Sequence, residues 1–448
     1  MIHINQKSNL ITNKISFVII LLFPLFYIIG SAVLNFGVVI LSLMFLASLN
    51  KNQLKILIND NLFKVFLIFF IYLILSNLMF TYNEYSLIKS IFYIKFLFFP
   101  FAIYFFLKNF SKKQKKIYNY FNISLVFFVS LDAIVQYYYG QNLLGYISPM
   151  GDRLSGVFNQ EMVIGSFLYL VGIINCILFI EDLDKNNKSK IILSILFSLI
   201  AFVVIFSGER ASLLMLIMFI ILNIIFNEHL RKKFILIFVT FVLFFYLFIN
   251  FSDNLKYRYW DHLYILTNLE KVELIDETYV ITSKINKLDA IEKKYDIDLS
   301  NLKQILFKFK DTQWGSHWIT AYKIFEDNPY FGAGFRSFRF ECSNEKYNSI
   351  NSLNKMFRCS THPHNIFLEI ISETGILGLT LFMLIIFFSF FKFYKHGSRN
   401  FHAYILFTII ITIIFPLKPS GALFSSWYGS ILWYLFGIFF YKAKLLKI

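Results

Sequence analysis

Positions 360–378 read STHPHNIFLEIISETGILG, with two imidazoles flanking a proline at the mouth of a long apolar run. Three roles suit His362 and His364. A zinc centre needs further ligands, and no Asp or Cys ligand pattern accompanies the His-x-His spacing, so no metal is expected. An imidazole can cap the helix that begins near Asn365, itself a natural N-cap. A neutral histidine can also act as a general base near neutral pH, and a capped Asn365 would hold His364 rigidly just outside the helix.

Charged groups in other loops raise a second possibility. Arg210 lies in FSGERASLLML between two apolar runs. An arginine at such depth is costly and usually lines a polar cavity. The start of the helix at 211–226 adds partial positive charge, and that combination suits a phosphate or diphosphate. The competing reading is an interfacial arginine reaching to headgroups. In GDRLSGVFNQEMVIGSFL, at 151–168, Arg153 and Glu161 bracket the start of another span. Arg153 is either a second anion ligand or a solvated loop charge. WITAYKIFEDNPYFGAGFRSFRFEC, at 318–342, is an amphipathic helix, an Asn-Pro turn and a glycine-rich loop. Its GAGFRSF lacks the preceding strand and third glycine of a dinucleotide fingerprint. Arg336 and Arg339 either reach an anionic ligand or sit in solvent on a packing loop.

The elements that position these residues follow from composition. The 448 residues are 57% hydrophobic and only 16% charged, against about 25% charged in a soluble domain. The expectation is an all-α polytopic membrane protein. About twelve apolar segments reach spanning length, near 15–30, 31–49, 62–80, 87–107, 117–139, 161–180, 190–206, 211–226, 234–250, 366–391, 401–416 and 422–441. The first follows Lys7 and Lys14, lacks a small-residue cleavage site, and reads as an uncleaved helix. Basic residues crowd alternate loops: Lys51 and Lys55, then 107–116, 185–190, 229–233, 392–399 and 442–447. The opposite short loops hold Arg153, Arg210 and Lys418. By the positive-inside rule both termini face the cytoplasm. The net charge of +16 is then a topology signal, and nucleic acid is not an expected partner.

The chain divides into helices 1–5 (1–140), helices 6–9 with their arginine loops (141–250), one large external segment (251–363) between helices 9 and 10, and helices 10–12 (364–448). Within the large segment, 288–309 reads as helical. Cys342 and Cys359 both lie in it, and a disulfide between them is expected in an oxidising compartment, two free thiols being the alternative.

Together these residues resemble the O-antigen ligase and polymerase superfamily of membrane glycosyltransferases. The ligase signature is His, then Asn, Ser or Gln, nine residues, Gly, two residues and a small residue. Here it reads His364-Asn365, IFLEIISET, then Gly375 and Gly378. Arg210-Ala-Ser-Leu-Leu214 matches a second element, and NPYFGAGF and RLSGVFNQE are similar to two more. A ligase-type domain is expected over roughly 190–385.

The resemblance implies a GT-C type enzyme with a periplasmic active site in the bacterial inner membrane. It would transfer a glycan from undecaprenyl diphosphate to a sugar hydroxyl of lipid A-core or another glycan acceptor. The implied route is a metal-independent inverting displacement with His364 as base and Arg210 on the diphosphate. No nucleotide or cofactor is required, because the lipid diphosphate is the activated donor. Relatives carry a further arginine in the large loop where this chain reads QWGSHWITAYKIF with His317; Arg336 or Arg339 would supply that charge. Polymerases of the superfamily carry Arg, ten residues, Gly, a spacing absent here, which favours ligase over polymerase. A lipid-linked sugar transporter is the competing class. It would show an internal repeat with broken helices and midplane charges, whereas the polar groups here gather at one membrane face.

Overall fold

The computed structural model describes residues 2–80, 83–151, 153–180, 187–228, 230–261, 312–347, 358–396 and 401–448. The stretch 288–309 and much of the expected large loop lie outside these residues. Among the described residues the chain is helices and loops, with no strand.

Seven helices are long and apolar enough to cross a membrane: Ile11–Ile29, Ser31–Ser48, Asn61–Met79, Glu84–Asn109, Lys112–Tyr139, Arg231–Phe251 and Ile366–Lys395. Ile164–Cys176, Ile191–Phe206, Arg210–Phe226 and Phe401–Ile413 are apolar but shorter. The all-α, multi-pass class expected from composition holds. The count of about twelve would need the shorter helices and Ser426–Ala443 as well.

The last helix, Ser426–Ala443, is the axis of the bundle. It is buried without interruption from Tyr428 to Phe440, as an all-round apolar helix must be. Its main neighbour is Lys95–Asn109, which buries Phe96, Phe99, Phe101 and Phe106. On the outside, Phe36 and Phe92 are each 68% exposed, and the Arg231–Phe251 helix buries only Phe234 and Phe241. Apolar surface on that scale suits hydrocarbon, where every helix satisfies its own backbone.

The helix that follows the histidines, Ile366–His396, is two helices joined at Gly375, whose φ of 66° and ψ of −172° break the α conformation. The NPYFGAGF loop is spliced into the break. Ala333 and Gly334 donate to the carbonyls of Ser372 and Glu373 at 2.9 and 3.0 Å, and Ile376 donates to the Pro329 carbonyl at 2.9 Å. Backbone groups freed by the kink are thus paired by the loop, as burial requires. A Cβ on Gly375 would collide with the Tyr330 carbonyl, and one on Gly332 with the Glu373 backbone. The glycine of the signature is therefore a docking point for the loop that carries Arg336 and Arg339.

Two glutamates on the same helix lock loops in place. Glu373 accepts from the backbone N–H of Arg336 at 2.6 Å and of Phe338 at 3.3 Å. One turn earlier, Glu369 accepts from Leu423 at 2.7 Å and Phe424 at 3.1 Å. Both carboxyl groups are buried, and each satisfies two backbone N–H groups that burial would otherwise leave unpaired. Helix 366–374 is thereby stitched to the 329–338 loop on one side and the 416–425 loop on the other.

Candidate active site

His364 sits between these two loops. Asn365 caps the helix as expected, its Oδ1 accepting from Phe367 at 3.0 Å and Leu368 at 3.1 Å, and its Nδ2 donates to the Pro416 carbonyl at 2.6 Å. Ser420 N–H donates to the His364 carbonyl at 2.8 Å. The turn is tight enough to put His364 at a φ of 54°, and Arg336 across from it is at 58°. Left-handed backbone on a non-glycine residue costs roughly 1–3 kcal/mol and tends to mark functional positions.

The two histidines differ in what their rings can do. His362 Nε2 lies 3.2 Å from the Ser420 carbonyl, and Nδ1 lies 3.0 Å from the Thr361 hydroxyl. A carbonyl only accepts, so Nε2 carries the proton and Nδ1 takes the hydroxyl hydrogen. Both nitrogens of His362 are engaged. The His364 ring takes no hydrogen bond among the described residues, and is enclosed by other rings. His362 lies at 4.0 Å between centroids, Trp314 at 4.6 Å and His317 at 5.2 Å. Burial, then the neighbouring His362 and His317, hold the His364 pKa down to about 3. Burial also holds His362 at about 4. Both are neutral imidazoles at physiological pH. Among the described residues no group of three or more His, Cys, Asp or Glu is placed to hold a metal ion.

Arg339 reaches this ledge directly, donating to the Thr361 carbonyl at 3.3 Å, and Arg336 and Arg339 both act electrostatically on His362. Cys342 and Cys359 are disulfide-bonded, which ties the ledge to the short helix that carries Arg339. Lys418, placed by the sequence only as a topology marker, is 1% exposed two residues from Ser420. Its Nζ is 3.5 Å from the Tyr428 hydroxyl, and burial lowers its pKa to about 7.

Arg210 belongs to a second group. It begins the Arg210–Phe226 helix as expected, and its Nε donates to the Arg258 carbonyl at 3.2 Å, while Arg258 Nε donates to the Gly208 carbonyl at 3.0 Å. Between them, the buried Glu209 accepts from Gly165 N–H at 2.6 Å, Ser166 N–H at 3.1 Å and the Ser166 hydroxyl at 2.6 Å. Burial pushes the Glu209 carboxyl up, against those hydrogen bonds and the charge of Arg153. Arg153, Arg210, Arg258 and Glu209 all act electrostatically on Tyr259, which gathers three guanidiniums and one carboxyl group around that ring. Glu161, expected here, is exposed and takes no side-chain hydrogen bond among the described residues; Glu209 occupies the central acidic position instead.

Both groups lie at one end of the bundle. Glu209 bonds Gly165, and one turn on Tyr169 bonds Thr412 at 2.6 Å, next to where helix Phe401–Ile413 gives way to the loop bonded to His364. The interactions described leave the histidine group and the arginine group as two neighbouring clusters. Of the residues that sequence reasoning passed over, Glu369 and Glu373 were the most visible, as acidic residues one turn apart in an apolar span.

A multi-pass helical membrane protein with a polar, cation-rich site at one mouth is the class these features define. The family described as O-antigen ligase matches residues 195–383, a segment that holds Glu209, Arg210, Arg258, His317, Arg336, Arg339, His364, Gly375 and Gly378. That match, over less than half of the chain, supports membership of the O-antigen ligase superfamily, a family of glycosyltransferase-type membrane enzymes that act on lipid-linked glycans and acceptors. No curated protein matches the chain.

Proposed function

We propose that the protein transfers a glycan from undecaprenyl diphosphate to a sugar hydroxyl, as in O-antigen ligation to lipid A-core, at the periplasmic face of the bacterial inner membrane. His364 takes the proton of the acceptor hydroxyl as its oxygen bonds to the anomeric carbon. The bond from that carbon to the diphosphate oxygen breaks from the opposite face, without metal, and the lipid diphosphate leaves with the electron pair. Arg210, with Arg153, holds the diphosphate and offsets the charge that grows on it; Arg336 and Arg339 neutralise charge nearer the base. The single observation that carries the reading is the state of His364, a neutral imidazole whose ring nitrogens take no hydrogen bond among the described residues, on a ledge held between two loops. A pKa of about 3 makes His364 a weak base, and an anionic donor bound beside it raises that value.

The test is transfer in membranes supplied with lipid-linked glycan and acceptor. His364→Ala lowers the rate by about 10²–10⁴-fold, the usual worth of a general base. Arg210→Ala lowers it by about 10²–10³-fold, as for loss of a preorganised charge donor. Both variants should remain in the membrane at normal levels. Transfer at the wild-type rate by His364→Ala removes the base assignment. Deleting the gene separates ligase from polymerase: lipid-linked polymer accumulating with no attached glycan identifies a ligase, and a single attached repeat identifies a polymerase.

A further inference from the structure

Histidine bases are ordinarily oriented by a hydrogen bond at the second ring nitrogen, which also fixes the tautomer. His364 has none among the described residues, and its backbone is in the left-handed region. Something else must hold the ring. The helix Gln313–Asp327 starts at Thr312, whose side chain accepts from Gly315 N–H at 3.1 Å. Trp314 and His317 are three residues apart on it and so share a face, and that face meets His364. His317 is fully buried and lies nearly parallel to the His364 ring, at 27° and 5.2 Å; Trp314 meets it edge-on, at 78° and 4.6 Å.

We infer that His317, together with Trp314, is a positioning residue for the base: the two rings clamp the His364 imidazole in a fixed orientation by packing alone. This rests on the proposed role of His364. The near-parallel rings meet through their faces, at 27° and 5.2 Å, which makes packing rather than proton relay the role assigned to His317. The clamp is itself rigid. Its helix packs on the histidine helix, and Ala321 and Ile324 share a small buried cluster with Phe338, Cys342 and Tyr347. At the far end Asp327 is held by Lys346 at 2.9 Å and by the Tyr347 hydroxyl at 2.8 Å. The Cys342–Cys359 disulfide joins that cluster to the histidine ledge, so base and clamp are parts of one body.

The experiment compares steady-state transfer by wild type, His317→Ala, His317→Phe and Trp314→Leu, with His364→Ala alongside. Misplacing a catalytic group by about 1 Å costs about 10²-fold, so His317→Ala should lose about that much in kcat with little change in the acceptor KM. His317→Phe keeps a flat ring and should recover to within about tenfold of wild type. Trp314→Leu, at a half-buried position that the fold tolerates more easily, should show the same kcat-selective loss, and it serves where His317→Ala does not fold. A full rate in both His317→Ala and Trp314→Leu overturns the clamp. So does a Phe variant as inactive as the Ala variant while folded, since that result assigns chemistry to the His317 nitrogens. If His364→Ala is inactive while the clamp variants are unaffected, this inference alone fails; if His364→Ala is active, the functional reading fails first.

Discussion

At the scale of single residues, the ledge separates two histidines that the sequence presents as a pair. His362 is spent on Ser420 and Thr361; His364 keeps its nitrogens. The low pKa of His364 has a direction that can be checked. Its folded value, about 3, is depressed from 6.5, so the ring is neutral at every pH above about 4. The kcat/KM profile, which reports the free enzyme, should therefore show no acid limb with a midpoint near 6.5, and a limb there would mean that His364 is solvated. The same depression makes the fold less stable as pH falls from 6.5 toward 3, because the unfolded chain binds protons that the folded chain refuses. From the sequence, the identity of His364 could be read through its spacing to Gly375 and Gly378. Its contact with His317 could not, because those residues come from separate segments and meet only after the Gln313–Asp327 helix has docked.

At the scale of elements, the decisive feature is the splice at Gly375. The spacing from histidine to glycine is visible in the sequence, but its cause is not. It requires the NPYFGAGF loop, which precedes the histidines, to fold back and pair with the backbone of a helix that follows them. Glu369 and Glu373 act in the same way, since a buried carboxylate can be noticed in a span while its backbone donors at 336, 338, 423 and 424 are set by tertiary structure. The splice predicts that Gly375→Ala combines a left-handed backbone with a collision against the Tyr330 carbonyl. The expected loss is at least about 2 kcal/mol of stability. It should appear as a lowered thermal midpoint in detergent, with transfer lost because Arg336 and Arg339 shift with the loop. A Gly375→Ala variant with an unchanged midpoint would show that the loop does not press on the helix there.

At the scale of the whole molecule, the question is which end of the bundle faces which compartment. Lys392 pairs with Asp60, and Lys108 donates to the carbonyl of Ile448 at 2.7 Å, so these basic positions collect at one end. His364, through Ser420, lies at the other, together with Arg153, Arg210 and Lys418. Positive charge retained on the cytoplasmic side would put the histidine ledge outside, where the proposed donor presents its glycan. Cysteines introduced at Lys113 and Glu345, both exposed, test this against a quiet background, since Cys176 is buried and Cys342 and Cys359 are paired. A membrane-impermeant maleimide should label Glu345→Cys in intact spheroplasts and Lys113→Cys only after permeabilisation. The reverse pattern would place His364 in the cytoplasm, and glycan transfer at the outer face would have to be abandoned with it. The charge argument and the catalytic argument are independent, one drawn from lysines at one end of the bundle and the other from imidazoles at the opposite end, so agreement in this labelling would bear on both.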